Sequence, residues 1–307
     1  MVRYSLFEDG SVEECGRIAM DRPMFIQVQD GVLHAILRAP FENSDESGAV
    51  NFDLLGGQRL GDPISTRGVV ACHLTCDGED SYVANYVSGS VIRLPDTLVT
   101  HEGSSVHPIR QTSPHAHGAF LSPDGKYVLV CDLGLDQILV YTRALVPVSA
   151  VDVPKGAGPR HLCFSACGKY VYCVNEMGGS VCSFAWKNGT LTYLKTLSLL
   201  PDGHVGDGSG ASIRCSADGR FLFVTERATE KIITVAIDGA DMKVTSSVNC
   251  GGKEPRDLVI VADGRVAICA NQFGDCVTIF RIDEEGVLSP MTRFDLPAPI
   301  CVIEVRS

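Results

Sequence analysis

Five ionisable residues stand at matching places in a repeated sequence unit, and their types are those of acid–base and anion chemistry. With the glycine of a short turn taken as zero, the residue eight positions before it is Pro23, Val70, His117, Arg160, Ala211 and Arg256 in successive units. The residue eight positions after it is Ala39, Tyr86, Leu133, Glu176, Arg227 and Gln272. Arginine's planar fork binds carboxylate or phosphate through paired hydrogen bonds. Histidine and glutamate are the usual proton-transfer pair. A lone charge in such a slot is as often merely solvated or paired. Three arginines, a glutamate and a histidine sharing two slots are read as one site, because functional sites gather ionisable groups.

Other candidates carry less. His115 and His161 adjoin the slots, but strand alternation is expected to turn each away from its neighbour, or to leave it outside the strand. His73 lies in the first strand of its unit at a different phase from His117 and reads as structural. His204, Asp202 and Asp207 belong to PDGHVGDGSG, which reads as a long connection. The thirteen cysteines contain no CxxC pair, so no zinc site is expected, and they read as small buried hydrophobes. No metal and no cofactor are implied by any motif.

The slots need elements to hold them. The unit is an apolar strand, a DG-type turn, a second apolar strand ending in a polar pair, and a third alternating strand. Its clearest copies are GPRHLCFSACGKYVYCVNEMGGSVCSF, HGAFLSPDGKYVLVCDLGLDQILVY and ASIRCSADGRFLFVTERATEKIITV. The turn glycines Gly31, Gly78, Gly125, Gly168, Gly219 and Gly264 are spaced by 47, 47, 43, 51 and 45 residues. Short β-rich segments at that period match four-stranded propeller blades. Asp-Gly suits tight hairpins because both central residues tolerate positive φ. The C-terminal APICVIEV repeats the first strand of the unit, and VRYSLF and VEECGRIA read as outer strands. Together they predict an all-β, seven-bladed β-propeller over residues 1–307, its ring closed by N- and C-terminal strands in the last blade. First strands line the axis of such a fold, so His117, Arg160, Glu176, Arg227 and Arg256 are expected around one cationic mouth.

Composition narrows the classes. The net charge is −11 with no basic run, which argues against nucleic-acid binding. No window of 18 apolar residues occurs, so no membrane span is expected. The first residues lack a secretory pattern, and a cytoplasmic location is the default expectation.

The copy AGPRHLCFSACGKYVYCVNEMGGSV, with PHAHGAFLSPDGKYVLVCDLG, ASIRCSADGRFLFVTERATEKI and VANYVSGSV, resembles the bacterial 6-phosphogluconolactonase-type lactonase propeller family. The resemblance runs from about residue 3 to the C-terminus and is strongest over 68–281. The wider superfamily includes fungal 3-carboxy-cis,cis-muconate lactonizing enzymes, which close a lactone instead of opening one. Their histidine, two arginines and glutamate correspond to His117, Arg160, Arg227 and Glu176, and Arg256 falls in a PRG-like position. Members usually begin with one more strand, of the type VYIGTYT. Here Met1 comes first, which implies a three-stranded last blade or a start further upstream.

The resemblance implies a cofactor-free hydrolase of a small anionic sugar lactone such as 6-phosphogluconolactone. Arg160 and Arg227 would hold the anion and the oxyanion, Glu176 would serve as base and His117 as acid, with Arg256 as a further binding residue. A muconate cyclase-like cycloisomerase needs the same charges. A non-catalytic propeller that binds a ligand or protein is the third reading, and turnover of a lactone would exclude it.

Overall fold

The computed structural model describes residues 1–78 and 80–305, and the regular elements among them are all strands except the 3-10 turn Gln272–Gly274. A two-stranded sheet of β1 (Val2–Leu6) and β2 (Val12–Arg17) comes first. Six four-stranded antiparallel sheets follow, each in sequence order. They comprise β3 (Pro23–Gln29), β4 (Val32–Leu37), β5 (Glu46–Asp53) and β6 (Arg59–Val69); then β7 (Ala71–Asp77), β8 (Asp80–Asn85), β9 (Ser90–Arg93) and β10 (Thr97–Thr100). Next are β11 (Ala116–Leu121), β12 (Tyr127–Asp132), β13 (Gln137–Thr142) and β14 (Pro147–Asp152), then β15 (Pro159–Phe164), β16 (Tyr170–Asn175), β17 (Ser180–Lys187) and β18 (Thr190–Ser198). The last two are β19 (Gly210–Cys215), β20 (Phe221–Glu226), β21 (Lys231–Asp238) and β22 (Asp241–Asn249), and β23 (Pro255–Val261), β24 (Val266–Asn271), β25 (Cys276–Ile282) and β26 (Leu288–Asp295).

The chain forms two compact units, one of Met1–Leu135, Val140–Pro147 and the residues from Val305, the other of Asp136–Leu139 and Val148–Glu304. In the first, Ile36, Ala71, Leu74, Val83 and Ile92 form a core between successive sheets. In the second, Tyr172, Val174 and Val181 of one sheet pack on Leu222, Val224 and Ile233 of the next. The second strands, YVYCVN in β16 and FLFVTE in β20, are buried almost throughout. Covered on both faces, they show a continuous β-branched and aromatic run instead of alternation. The fourth strands β18 and β22 are mostly exposed and carry lysines, which protects a sheet edge from pairing elsewhere.

All six turn glycines have positive φ, from 62° at Gly78 to 90° at Gly264. The turns themselves are of more than one kind. At Asp30-Gly31 both residues are left-handed, as expected of a two-residue hairpin. Three longer turns instead share a serine that closes them. Ser122, Ser165 and Ser216 each accept from the glycine N–H with their carbonyl, and from the N–H of Tyr127, Tyr170 and Phe221 with their hydroxyl. In the second of these turns Cys167 replaces aspartate. It is exposed, as is Cys15, so these two cysteines depart from the expected burial. The Ser165 hydroxyl, foremost, draws the Cys167 thiol below its ordinary value.

The segment APICVIEV, expected to add a strand to a seventh blade, carries none among the described residues. Pro297 and Pro299 have no N–H to give a ladder. The Ala298 and Val302 N–H groups donate to the carboxylates of Asp275 (2.9 Å) and Asp257 (3.0 Å).

Candidate active site

The candidate residues owe their directions to a repeated irregularity. Each first strand breaks register with its neighbour at one place: at Met24, Cys72, His117, Arg160, the Ala211–Ser212 pair and Arg256. Such a β-bulge re-aims a side chain without ending the sheet. Two residues before each break, a carbonyl accepts the N–H of the residue that follows the second strand. The pairs are Arg38 to Arg22, Tyr86 to Val70, Leu133 to His115, Glu176 to Gly158, Arg227 to Ser209 and Gln272 to Glu254. The sequence slots thus hold for four sheets. They are corrected in the first two, where Met24 and Cys72 replace Pro23 and Val70, and Arg38 replaces Ala39. The tighter turns there shorten the count to the glycine.

In the second unit the slots bring Arg160, Glu176 and Arg227 together. Glu176 Oε2 lies 3.2 Å from Arg160 Nε and 3.1 Å from Arg227 Nη2. Arg160 Nη1 also donates to the Ala211 carbonyl at 2.6 Å, and Arg227 Nε to the Ser209 carbonyl at 3.1 Å. Arg160 is 3% exposed and Glu176 8%, so these charges depend on one another, because a buried charge is tolerated only when paired and hydrogen-bonded. The bulge at Arg160 also breaks strand alternation. His161, expected to point away, has its ring nitrogens 3.3 and 3.4 Å from Arg160 Nη1.

Glu254 was not foreseen. Its carboxylate accepts from Arg227 Nη1 at 2.9 Å, so the two arginines are matched by two glutamates and the cluster is neutral where a cationic one was expected. Glu254 has φ 57° and Gly158 has φ 65°. Aligning EPR (254–256) on GPR (158–160) would have exposed a non-glycine residue in a left-handed position, where strain accompanies function. Arg256 is half-buried and makes no hydrogen bond or ion pair with a described residue.

In the first unit His117 is 5% exposed. Cys72 Sγ lies 3.9 Å from its Nδ1, and the Tyr86 ring meets it edge-on at 5.5 Å. The other face of that environment is His115, stacked on Tyr86 at 4.5 Å with Nδ1 3.0 Å from the Tyr86 carbonyl. His73 packs between Phe25 and Phe120, at 4.6 and 4.4 Å, a core contact. A cavity of about 200 Å³ lined by His34, Asn51, Asp62 and Leu94 holds none of the candidate residues. Among the described residues no three His, Cys, Asp or Glu side chains are grouped to hold a metal, and no helix is long and apolar enough to cross a membrane.

Residues 2–304 match the family model described as lactonase, 7-bladed beta-propeller. A Staphylococcus saprophyticus protein of undescribed activity is 32% identical over 66% of this chain, a match spanning 60% of that protein. The 6-phosphogluconolactonase of Bacillus subtilis is 28% identical, over 75% of this chain and 72% of its own. The structure of a periplasmic gluconolactonase from Pseudomonas aeruginosa superposes with a TM-score of 0.84 at 30% identity, covering 96% of this chain and 92% of that one.

Proposed function

Because the chain belongs to the family of seven-bladed β-propeller lactonases, we propose that it hydrolyses a sugar lactone bearing an anionic group, of the 6-phosphogluconolactone type. The observation that carries the reading is the buried Glu176 carboxylate, held through Oε2 by Arg160 and Arg227. The Glu176 carboxylate takes the proton from water as the water oxygen bonds to the lactone carbonyl carbon. The negative charge that forms on the carbonyl oxygen is met by the guanidinium groups, whose positions are already fixed by the Ala211 and Ser209 carbonyls. The ring C–O bond then breaks, and His117 gives its proton to the leaving oxygen, releasing a hydroxy acid. Arg256 adds positive charge for substrate binding.

The same family membership supports one domain over 1–307, with β1 and β2 as outer strands of a seventh blade.

The test is a panel of phosphorylated, carboxylated and neutral lactones incubated with purified protein and followed by NMR. Accelerated appearance of the hydroxy acid from an anionic lactone is the expected result. A protein that leaves every lactone at its spontaneous rate would overturn the proposal.

A further inference from the structure

Between β10 and β11 the chain runs through residues 101–115 without a strand. Connections of that length inside a compact fold are uncommon and usually serve a function. This one is firmly built. At its start His101 Nδ1 lies 2.6 Å from Asp132 Oδ2, and at its end the His115 N–H donates to Asp132 Oδ1 at 2.8 Å, so one buried carboxylate holds both ends. Gln111, fully buried, is the centre. Its Oε1 accepts the His107 N–H at 3.0 Å and its Nε2 donates to the Leu133 carbonyl at 2.8 Å. His107 Nδ1 in turn accepts the N–H groups of Ile109 (3.2 Å) and Arg110 (3.0 Å).

Hydrophobic burial does not explain this shape, since Val106 and Ile109 are 61% and 78% exposed. Buried polar side chains are costly unless fully bonded, so a loop organised around Asp132 and Gln111 is fixed for what it presents. What it presents is Arg110. The Arg110 guanidinium donates from Nη2 to Tyr86 Oη at 3.1 Å. Tyr86 is the ring that stacks on His115 and meets His117 edge-on. A half-buried guanidinium is thereby linked, through Tyr86, to the histidine read as the proton donor.

We propose that Arg110 is the specificity residue for the substrate's anionic substituent, with Tyr86 holding its fork in place. This rests on the lactonase reading and adds to it the group that separates charged from neutral lactones. In a chain of net charge −11, attraction of an anion has to come from such local arginines. The planar fork suits phosphate or carboxylate, and a neutral sugar lactone offers it nothing to pair with.

The experiment compares kcat/KM for 6-phosphogluconolactone and for neutral glucono-δ-lactone, measured on single preparations of wild type, Arg110→Met and Arg110→Lys. The expected result is a loss of about tenfold to a hundredfold for the phosphorylated lactone in Arg110→Met, the size of a charge-assisted hydrogen bond. Arg110→Lys should fall between, neutral-lactone turnover should stay within about twofold, and inorganic phosphate should inhibit the wild type better than Arg110→Met. An unchanged preference in Arg110→Met, or an equal fall for both lactones, would overturn the assignment while leaving the lactonase reading intact. A wild type that favours the neutral lactone would overturn it also. A wild type inactive on both would remove the lactonase reading and this inference with it.

Discussion

Glu254 changes how the two buried arginines are understood. With Glu176 alone they would leave a cationic site; with Glu254 on Arg227 the charges balance. Glu254→Gln should therefore strengthen inhibition by inorganic phosphate, by roughly threefold to tenfold for one partly screened charge. Steady-state inhibition constants check this, and unchanged inhibition would mean that Arg227 does not face the anion. Arg160→Lys keeps the charge but cannot reach Glu176 and the Ala211 carbonyl with the same planar fork. It should lower both kcat and the affinity for substrate, with the fold retained by circular dichroism. The residue types were legible in the sequence because His117, Arg160, Glu176 and Arg227 stand at equal distances from turn glycines. Glu254 and Arg110 were not. Glu254 is a loop residue before its strand, and Arg110 lies in a connection outside the repeated strands, so no repeat pointed to either.

At the scale of the element, a fixed count from the turn worked only where the turns had equal length. Gln29 faces Val32 across a two-residue turn in the first sheet, whereas Leu121 faces Val128 and Phe164 faces Val171 across longer ones. That difference moved the true slots to Met24 and Arg38. Strand alternation misplaced His161 for a related reason, since the bulge at Arg160 resets the two-residue period. The turns make their own predictions. Gly31 has φ 76° and nothing within 4 Å of an added Cβ, so Gly31→Ala should cost about 1–2 kcal/mol from backbone conformation alone. Gly31→Asn should cost less, because asparagine tolerates the left-handed region; chemical denaturation measures both. Asp218 is held down to about 2, chiefly by the Ser216 hydroxyl, with Arg220 adding to it. Its folded value lies below its unfolded one, so its contribution to stability is present above the unfolded value and fades as pH falls toward 2. Asp218→Asn should be less stable than wild type at neutral pH, and the difference should close as the solution is acidified.

At the scale of the whole molecule the sheet sequence was readable from period and turn chemistry, and six four-stranded sheets lie where the repeats were found. The ends were less readable. APICVIEV has the composition of a first strand, but Pro299, with Pro297 just before it, and its hydrogen bonds to Asp257 and Asp275 leave it without a ladder among the described residues. If 1–307 acts as one domain, melting followed by fluorescence of the single tryptophan, Trp186 in β17, should coincide with melting followed by circular dichroism. Separate transitions would divide the chain into independently folding units. The central claim is chemical, and one measurement addresses it most directly: proton release in weakly buffered 6-phosphogluconolactone, by wild type and by Glu176→Gln at equal folded concentration. A general base on Glu176 predicts rapid acidification by the wild type and a rate lower by about 10²–10⁴-fold in the variant, with substrate affinity held or improved. Equal rates for the two proteins would contradict it.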